Sequence, residues 1–367
     1  MNINRKFFVR GFAAFAITAL TVSTVHAEMH YVTQTVGGYE WRLALDDVAM
    51  TASVGTNLTG SSWAGAPNNS YGEASFATSS AINDKTKVEP LVIPSSFTVD
   101  GQVYRVTTIG NRALIRAYMT SLIIPEDVGT LYNCALYKCY NLTNLWFKGH
   151  ATRSAEFGRE YVDLNFVATS VLDVTTAIKN VLVGPNLKRS GNNFKVPGGT
   201  NTLVLFPYRK DNATWAGVNV GGTTPNVVYY HDLDETAGTI TFSPTNATTL
   251  AEAFATLPTI KSQIKTAFGL DAKIVVSSPI ETATTIPAAF LSSGIPLETT
   301  EWVAFSATTQ TQLEDVLGAC SASSKVLIDP ADATERLVVP AGRNVAMLMS
   351  SNGEVTPEMR GFMMIVR

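Results

Sequence analysis

One six-residue word occurs twice, and the interval between its copies constrains the fold more than any other feature of the chain. Ile109-Gly110-Asn111-Arg112-Ala113-Leu114 is answered, position for position, by Leu131-Tyr132-Asn133-Cys134-Ala135-Leu136. Short apolar runs flank the two copies: Leu91-Val92-Ile93-Pro94, Ser121-Leu122-Ile123-Ile124-Pro125 and Asn144-Leu145-Trp146-Phe147. Each is rich in β-branched or aromatic residues and stops at a breaker or a polar residue, which is the pattern of a brief buried strand. The interval from Ile109 to Leu131 is the length of one coil of a repeat structure, and a coil that short cannot hide its own apolar face. Stacking such coils buries those faces and pairs the strands into a ladder. Stacking predicts that Ala135, Leu136, Cys139, Leu142, Leu145 and Phe147 share one core.

The word Ala135-Leu136-x-x-Cys139-x-x-Leu142-x-x-Leu145-x-Phe147 resembles the BspA-like leucine-rich repeat. The lead-in from Leu91 to Pro94, followed by Val99 to Gly110, resembles that family's opening, and its Asp100-Gly101 has the chemistry of a hairpin turn. The chain departs from the pattern at Leu114 and Leu136, where Phe is usual, and at Ala117, where Cys is usual. The resemblance covers the run from Leu91 to Phe147, a minor part of the chain. It implies an exported protein that acts at the cell surface by binding protein or matrix.

Five segments are expected. Residues 1–27 read as a signal peptide: Arg5, Lys6 and Arg10 form the basic start, Phe12 to Val22 the apolar run, and Val25-His26-Ala27 the cleavage site. Residues 28–90 form a β-rich cap with strands over 38–45 and 46–50 around an Asp46-Asp47 turn, then a long loop over 54–80. Residues 91–149 carry the repeats. Residues 150–235 continue them in degenerate form, with strand centres at 123, 146, 182, 204 and 228 across the two segments and an insertion near 150–165.

Residues 236–367 hold two strand–helix–strand units, because Phe242-Ser243 and Phe305-Ser306 each precede a helix and an apolar strand. Thr249-x-x-Glu252 and Thr309-x-x-Gln312 have the form of capping boxes, and Pro258 to Phe268 reads as an extra helix ended by Gly269. The expected class is therefore mainly β with some α: a short leucine-rich-repeat solenoid, an N-terminal β cap and a C-terminal α/β region.

Composition narrows the function. Apolar residues make up 46% of the chain and charged residues 16%, which suits a β-rich core and argues against disorder. Cleavage after Ala27 removes three of the 27 basic residues and none of the 30 acidic ones, leaving a formal balance of −6. With no Lys/Arg cluster, no nucleic-acid partner is expected, and no membrane span is expected in the mature chain. Cys134, Cys139 and Cys320 cannot all pair within the chain, so a disulfide scaffold is not expected.

The search for chemistry finds little. His30, His150 and His231 stand apart from one another without the spacing of a metal site. His231-Asp232-Leu233-Asp234-Glu235 lacks the terminal acid of a calcium loop and reads as a solvated turn. Neither a Gly-x-Ser-x-Gly elbow nor a phosphate-binding loop occurs. No enzyme activity, cofactor or metal is expected. Trp215, in the polar run Asn212-Ala213-Thr214-Trp215-Ala216-Gly217, is the candidate ligand contact, with loop anchoring as the competing role; Trp63 is similar. Trp41, Trp146 and Trp302 have the alternation of strand packing.

The reading is a non-catalytic binding component at the cell surface or outside the cell. A carbohydrate-binding or carbohydrate-active exported protein and a purely structural envelope component are the alternatives.

Overall fold

The structure is a computed structural model of the chain, and it describes residues 29–55, 81–82, 84–132, 134–149, 162–166, 178–185, 187–191, 202–208, 226–330 and 333–348. The expected signal peptide and most of the 54–80 loop lie outside the described residues, as do Trp63 and Trp215. The fold is mostly β with few helices.

It begins as an antiparallel meander of β1 (Met29–Val36), β2 (Tyr39–Asp46) and β3 (Thr51–Val54). Gly37 and Gly38, both at positive φ, form the two-residue turn between the first pair. The second strand of the expected pair sits later than 46–50. The Asp46 carboxylate accepts the backbone N–H groups of Val48 and Ala49 at 3.0 and 2.8 Å, which folds 47–50 into a turn and leaves Val48 exposed.

Next come β4 (Pro90–Val92), β5 (Ser96–Val99) and β6 (Gln102–Ile109), the last two a hairpin turning at Asp100 and Gly101, both at positive φ. The chain then alternates between two sheets. Strands β7 (Ser121–Ile124), β9 (Asn144–Phe147), β11 (Asn180–Val183), β13 (Leu203–Pro207) and β14 (Asn226–Tyr230) extend from β4 in one parallel ladder. Strands β8 (Thr130–Leu131), β10 (Val162–Phe166) and β12 (Leu187–Gly191) extend from β6 in the other.

The first ladder aligns Leu91, Leu122, Leu145, Val181, Val204 and Val227 side by side. Leu122 to Leu145, Val181 to Val204 and Val204 to Val227 are equal steps. Thr143, whose hydroxyl donates to the Thr120 carbonyl at 2.9 Å, marks the same step of 23 residues. The step from Leu145 to Val181 is longer, 36 residues, as is that between the paired Asn144 and Asn180. Period-two alternation along each strand gives the ladder two apolar faces. Leu122, Ile124, Leu145, Phe147, Val181 and Val204 join one buried cluster, together with Ala135, Leu136, Cys139 and Leu142. Trp146, Leu182, Leu203, Leu205 and Tyr230 point to a second cluster on the opposite face.

The segments that return the chain between ladders repeat in conformation as well as in sequence. Arg112 and Arg116 have positive φ, and so do Cys134 and Lys138 at the matching positions of the next coil. Backbone hydrogen bonds from Leu114 to Ala135 and from Arg116 to Tyr137 tie the two segments together, and the Cys139 thiol donates to the Leu114 carbonyl at 3.0 Å.

The rest of the chain supplies β15 (Asp232–Asp234), β16 (Thr239–Phe242), α1 (Ala247–Phe268), β17 (Asp271–Val276), β18 (Ile280–Thr284), α2 (Ala288–Ser293), β19 (Leu297–Thr299), β20 (Val303–Ser306), α3 (Gln310–Ala319), β21 (Lys325–Asp329) and β22 (Asn344–Met347). They form two further sheets, ordered β15-β16-β17-β19 and β18-β20-β21-β22. The shorter step of the first ladder returns here: Ile274 pairs with Leu297, Leu297 with Cys320, Ile280 with Val303 and Val303 with Val326, all in parallel.

Three local expectations are corrected in this region. The first helix starts at Ala247, because the Asn246 side chain caps it by accepting the Thr249 N–H; Thr249 is not the N-cap. It runs unbroken to Phe268 with Pro258 inside it, so no second helix begins at Pro258. A proline within a helix costs about 3 kcal/mol, which is outweighed by burying the stripe Leu250, Phe254, Leu257, Ile260 and Ile264. Finally, Asp232–Asp234 is a strand paired antiparallel with β16, not a turn; the turn proper is 235–238.

Candidate ligand-binding site

The outer face of the first ladder is covered along its middle by α1. Trp146 meets Phe268 edge-on, with centroids 6.1 Å apart at 75°. Gln263 donates to the Asn180 side-chain oxygen at 2.5 Å, and Asn180 donates in turn to Asn144 at 2.7 Å. Lys148 pairs with Glu235 at 2.5 Å across the same boundary. The outer face of the ladder is therefore occupied, over these strands, by the chain itself.

Between β14, the β15–β16 hairpin and the first half of α1 lies a cavity of about 300 Å³, lined in part by Tyr208, Asn226, Tyr229, His231 and Glu252. Its size is at the lower end of small-molecule sites. Tyr208 follows directly on β13 and His231 directly on β14, and the parallel register brings Pro207 opposite Tyr230. The next residue pair is thereby stacked: the Tyr208 and His231 rings lie 4.6 Å apart at 21°. Tyr208 is 52% exposed and Tyr229 38% exposed.

The imidazole is fixed from its other side. His231 Nδ1 accepts the backbone N–H of Ser243 at 2.9 Å, so in the neutral ring the proton sits on Nε2. Burial holds its pKa below the ordinary histidine value. Among the described lining residues Glu252 is the one carboxylate, and none is Lys or Arg.

The residues singled out in the sequence are scattered. Trp215 lies outside the described residues. His150 also lies outside them. His30 Nδ1 lies 2.9 Å from the Asp47 carboxylate and its ring stands edge-on to Tyr104, far along the chain from the cavity residues. Trp41 is buried and donates its indole N–H to the Val36 carbonyl at 3.0 Å. Cys134, Cys139 and Cys320 are not joined in a disulfide, and all three are buried. No cluster of three His, Cys, Asp or Glu able to hold a metal occurs among the described residues, and no helix among them is long and apolar enough to cross a membrane.

Sequence reasoning missed Tyr208, Tyr229 and the role of His231. The signal was present, since Tyr208 and His231 stand one coil apart, at the same step as Val204 and Val227.

No family model matches the chain, and no curated protein matches it. Among solved structures it is similar to a leucine rich cell surface protein from Faecalibacterium prausnitzii A2-165, at 12% sequence identity over 86% of this chain and 84% of that one, with a TM-score of 0.24.

Proposed function

We propose that the chain is an exported leucine-rich-repeat solenoid of the BspA-like kind, a binding component at the cell surface or outside the cell that catalyses no reaction. One observation carries this reading: the parallel register that sets Leu122 beside Leu145, and Val181 beside Val204 and Val227, in equal steps along the chain. Coils of one length, each sharing its buried face with the next, make a rigid, extended body whose outward positions are free to vary with the ligand. On this reading residues 28–90 cap the first coil; Leu43, Leu45 and Val54 enter the same buried cluster as the ladder residues. Its partner is then a protein, a matrix component or a glycan met after export.

The test is a titration of the secreted, purified chain against immobilised matrix proteins and polysaccharides, with product analysis on every sample. Saturable binding without products is expected. Product formation that disappears in Glu252→Gln would overturn the non-catalytic reading.

A further inference from the structure

We propose that the cavity between β14 and the first half of α1 is a binding site for a neutral saccharide, with the stacked Tyr208–His231 pair as its platform. The proposal rests on the binding role given above and specifies the ligand class for it.

Four observations converge on that chemistry. The Tyr208 ring has one face against His231 and is nonetheless 52% exposed, which leaves its other face to a ligand. His231 is pinned by the Ser243 N–H, so the pair is organised before any ligand arrives and little side-chain entropy is lost on binding. Tyr229, itself half-exposed, is also a lining residue, with its ring tilted against Phe206 at 6.4 Å. Around these rings stand Asn226, Thr245, Glu252 and Thr256, which offer amide, hydroxyl and carboxylate partners.

A sugar ring matches this division, because its C–H face packs on an aromatic plane while its hydroxyls project sideways to polar groups. The charge of the lining selects among sugars. Among the described lining residues the one charge is the Glu252 carboxylate, and its like charge disfavours uronic acids, sulfated glycans and phosphate esters. A volume of about 300 Å³ accommodates one or two pyranose units rather than a long segment of chain.

The experiment is calorimetric titration of the intact secreted protein with neutral hexasaccharides of glucose, mannose, xylose and N-acetylglucosamine, alongside polygalacturonate and heparin. Saturable binding of at least one neutral probe is expected. Tyr208→Ala weakens that binding about tenfold or more, the scale of one lost aromatic contact in a desolvated site. Tyr208→Phe keeps it, since the platform survives without the hydroxyl. Tyr118→Ala, which removes an equally exposed tyrosine from a return segment, leaves it unchanged.

Binding of the anionic probes alone, no saccharide binding at millimolar concentrations, or affinity unaltered in Tyr208→Ala would each overturn the site. Those failures leave binding of a protein ligand standing. Turnover of a bound neutral probe would instead overturn the non-catalytic reading and leave the site in place.

Discussion

Asn180 donates a side-chain hydrogen bond to Asn144 across 2.7 Å although 36 residues of chain separate them. Both open their strands, in adjacent rungs of one ladder, and Asn180 also accepts from Gln263 of α1 at 2.5 Å. One side chain thus joins two neighbouring strands and the helix that covers them. Asn180 is 7% exposed, and Asn180→Ala leaves the half-buried Asn144 and Gln263 each short of a partner. A loss of about 1–3 kcal/mol is expected in chemical denaturation. Stability equal to that of the parent would show that the helix is not held there.

The inner face of the ladder makes a larger contribution. Leu145 packs between Leu122 and Val181 within the main cluster, and Leu145→Ala is expected to cost about 2–5 kcal/mol. Val92→Ala, at a position 57% exposed on β4, should change stability by less than about 0.5 kcal/mol. Equal effects at the two sites would contradict the assignment of inner and outer positions.

Thiol chemistry gives an independent reading of the packing. Burial pushes the Cys139 and Cys320 thiols up to about 12, and Cys134 is buried as well. At pH 8 a disulfide reagent should therefore leave the native protein unlabelled and modify all three cysteines once it is unfolded. Rapid labelling of Cys139 without unfolding would mean that the coils open.

The pH dependence follows from His231. Its folded pKa lies below the ordinary value, so the unfolded chain takes up the proton first as pH falls. The stability tied to the neutral ring is fully present above about pH 6.5 and is lost as pH drops from there through the folded pKa. Stability measured from pH 7 to pH 5 should decline, and His231→Gln should flatten that decline. An unchanged slope in the variant would remove His231 from the account.

Much of the first ladder was legible because its strands are short, uninterrupted apolar runs. Leu122, Leu145 and Val181 sit in short apolar runs whose spacing can be counted. The second ladder was not. Strand β8 is Thr130–Leu131 alone, and Leu187-Lys188-Arg189-Ser190-Gly191 carries no apolar alternation, so its pairing is set by the winding of the coils rather than by its own pattern. Pro258 misled in the opposite sense: local propensity said that a helix begins there, and the burial of Leu250, Phe254 and Leu257 on one stripe carried the helix through it.

The candidate site was read at the wrong range. Histidine partners were sought among sequence neighbours, whereas the partner of His231 is Tyr208, one coil away. Trp215, the residue chosen from local composition, is not among the described residues.

The most direct test is methyl nuclear Overhauser spectroscopy on protein labelled at Leu and Val. Cross-peaks should link Leu122 to Leu145, Leu145 to Val181, and Val181 to Val204, in that order, as the register requires. A missing Leu145–Val181 cross-peak, with the flanking ones present, would contradict a continuous stack at its longest step.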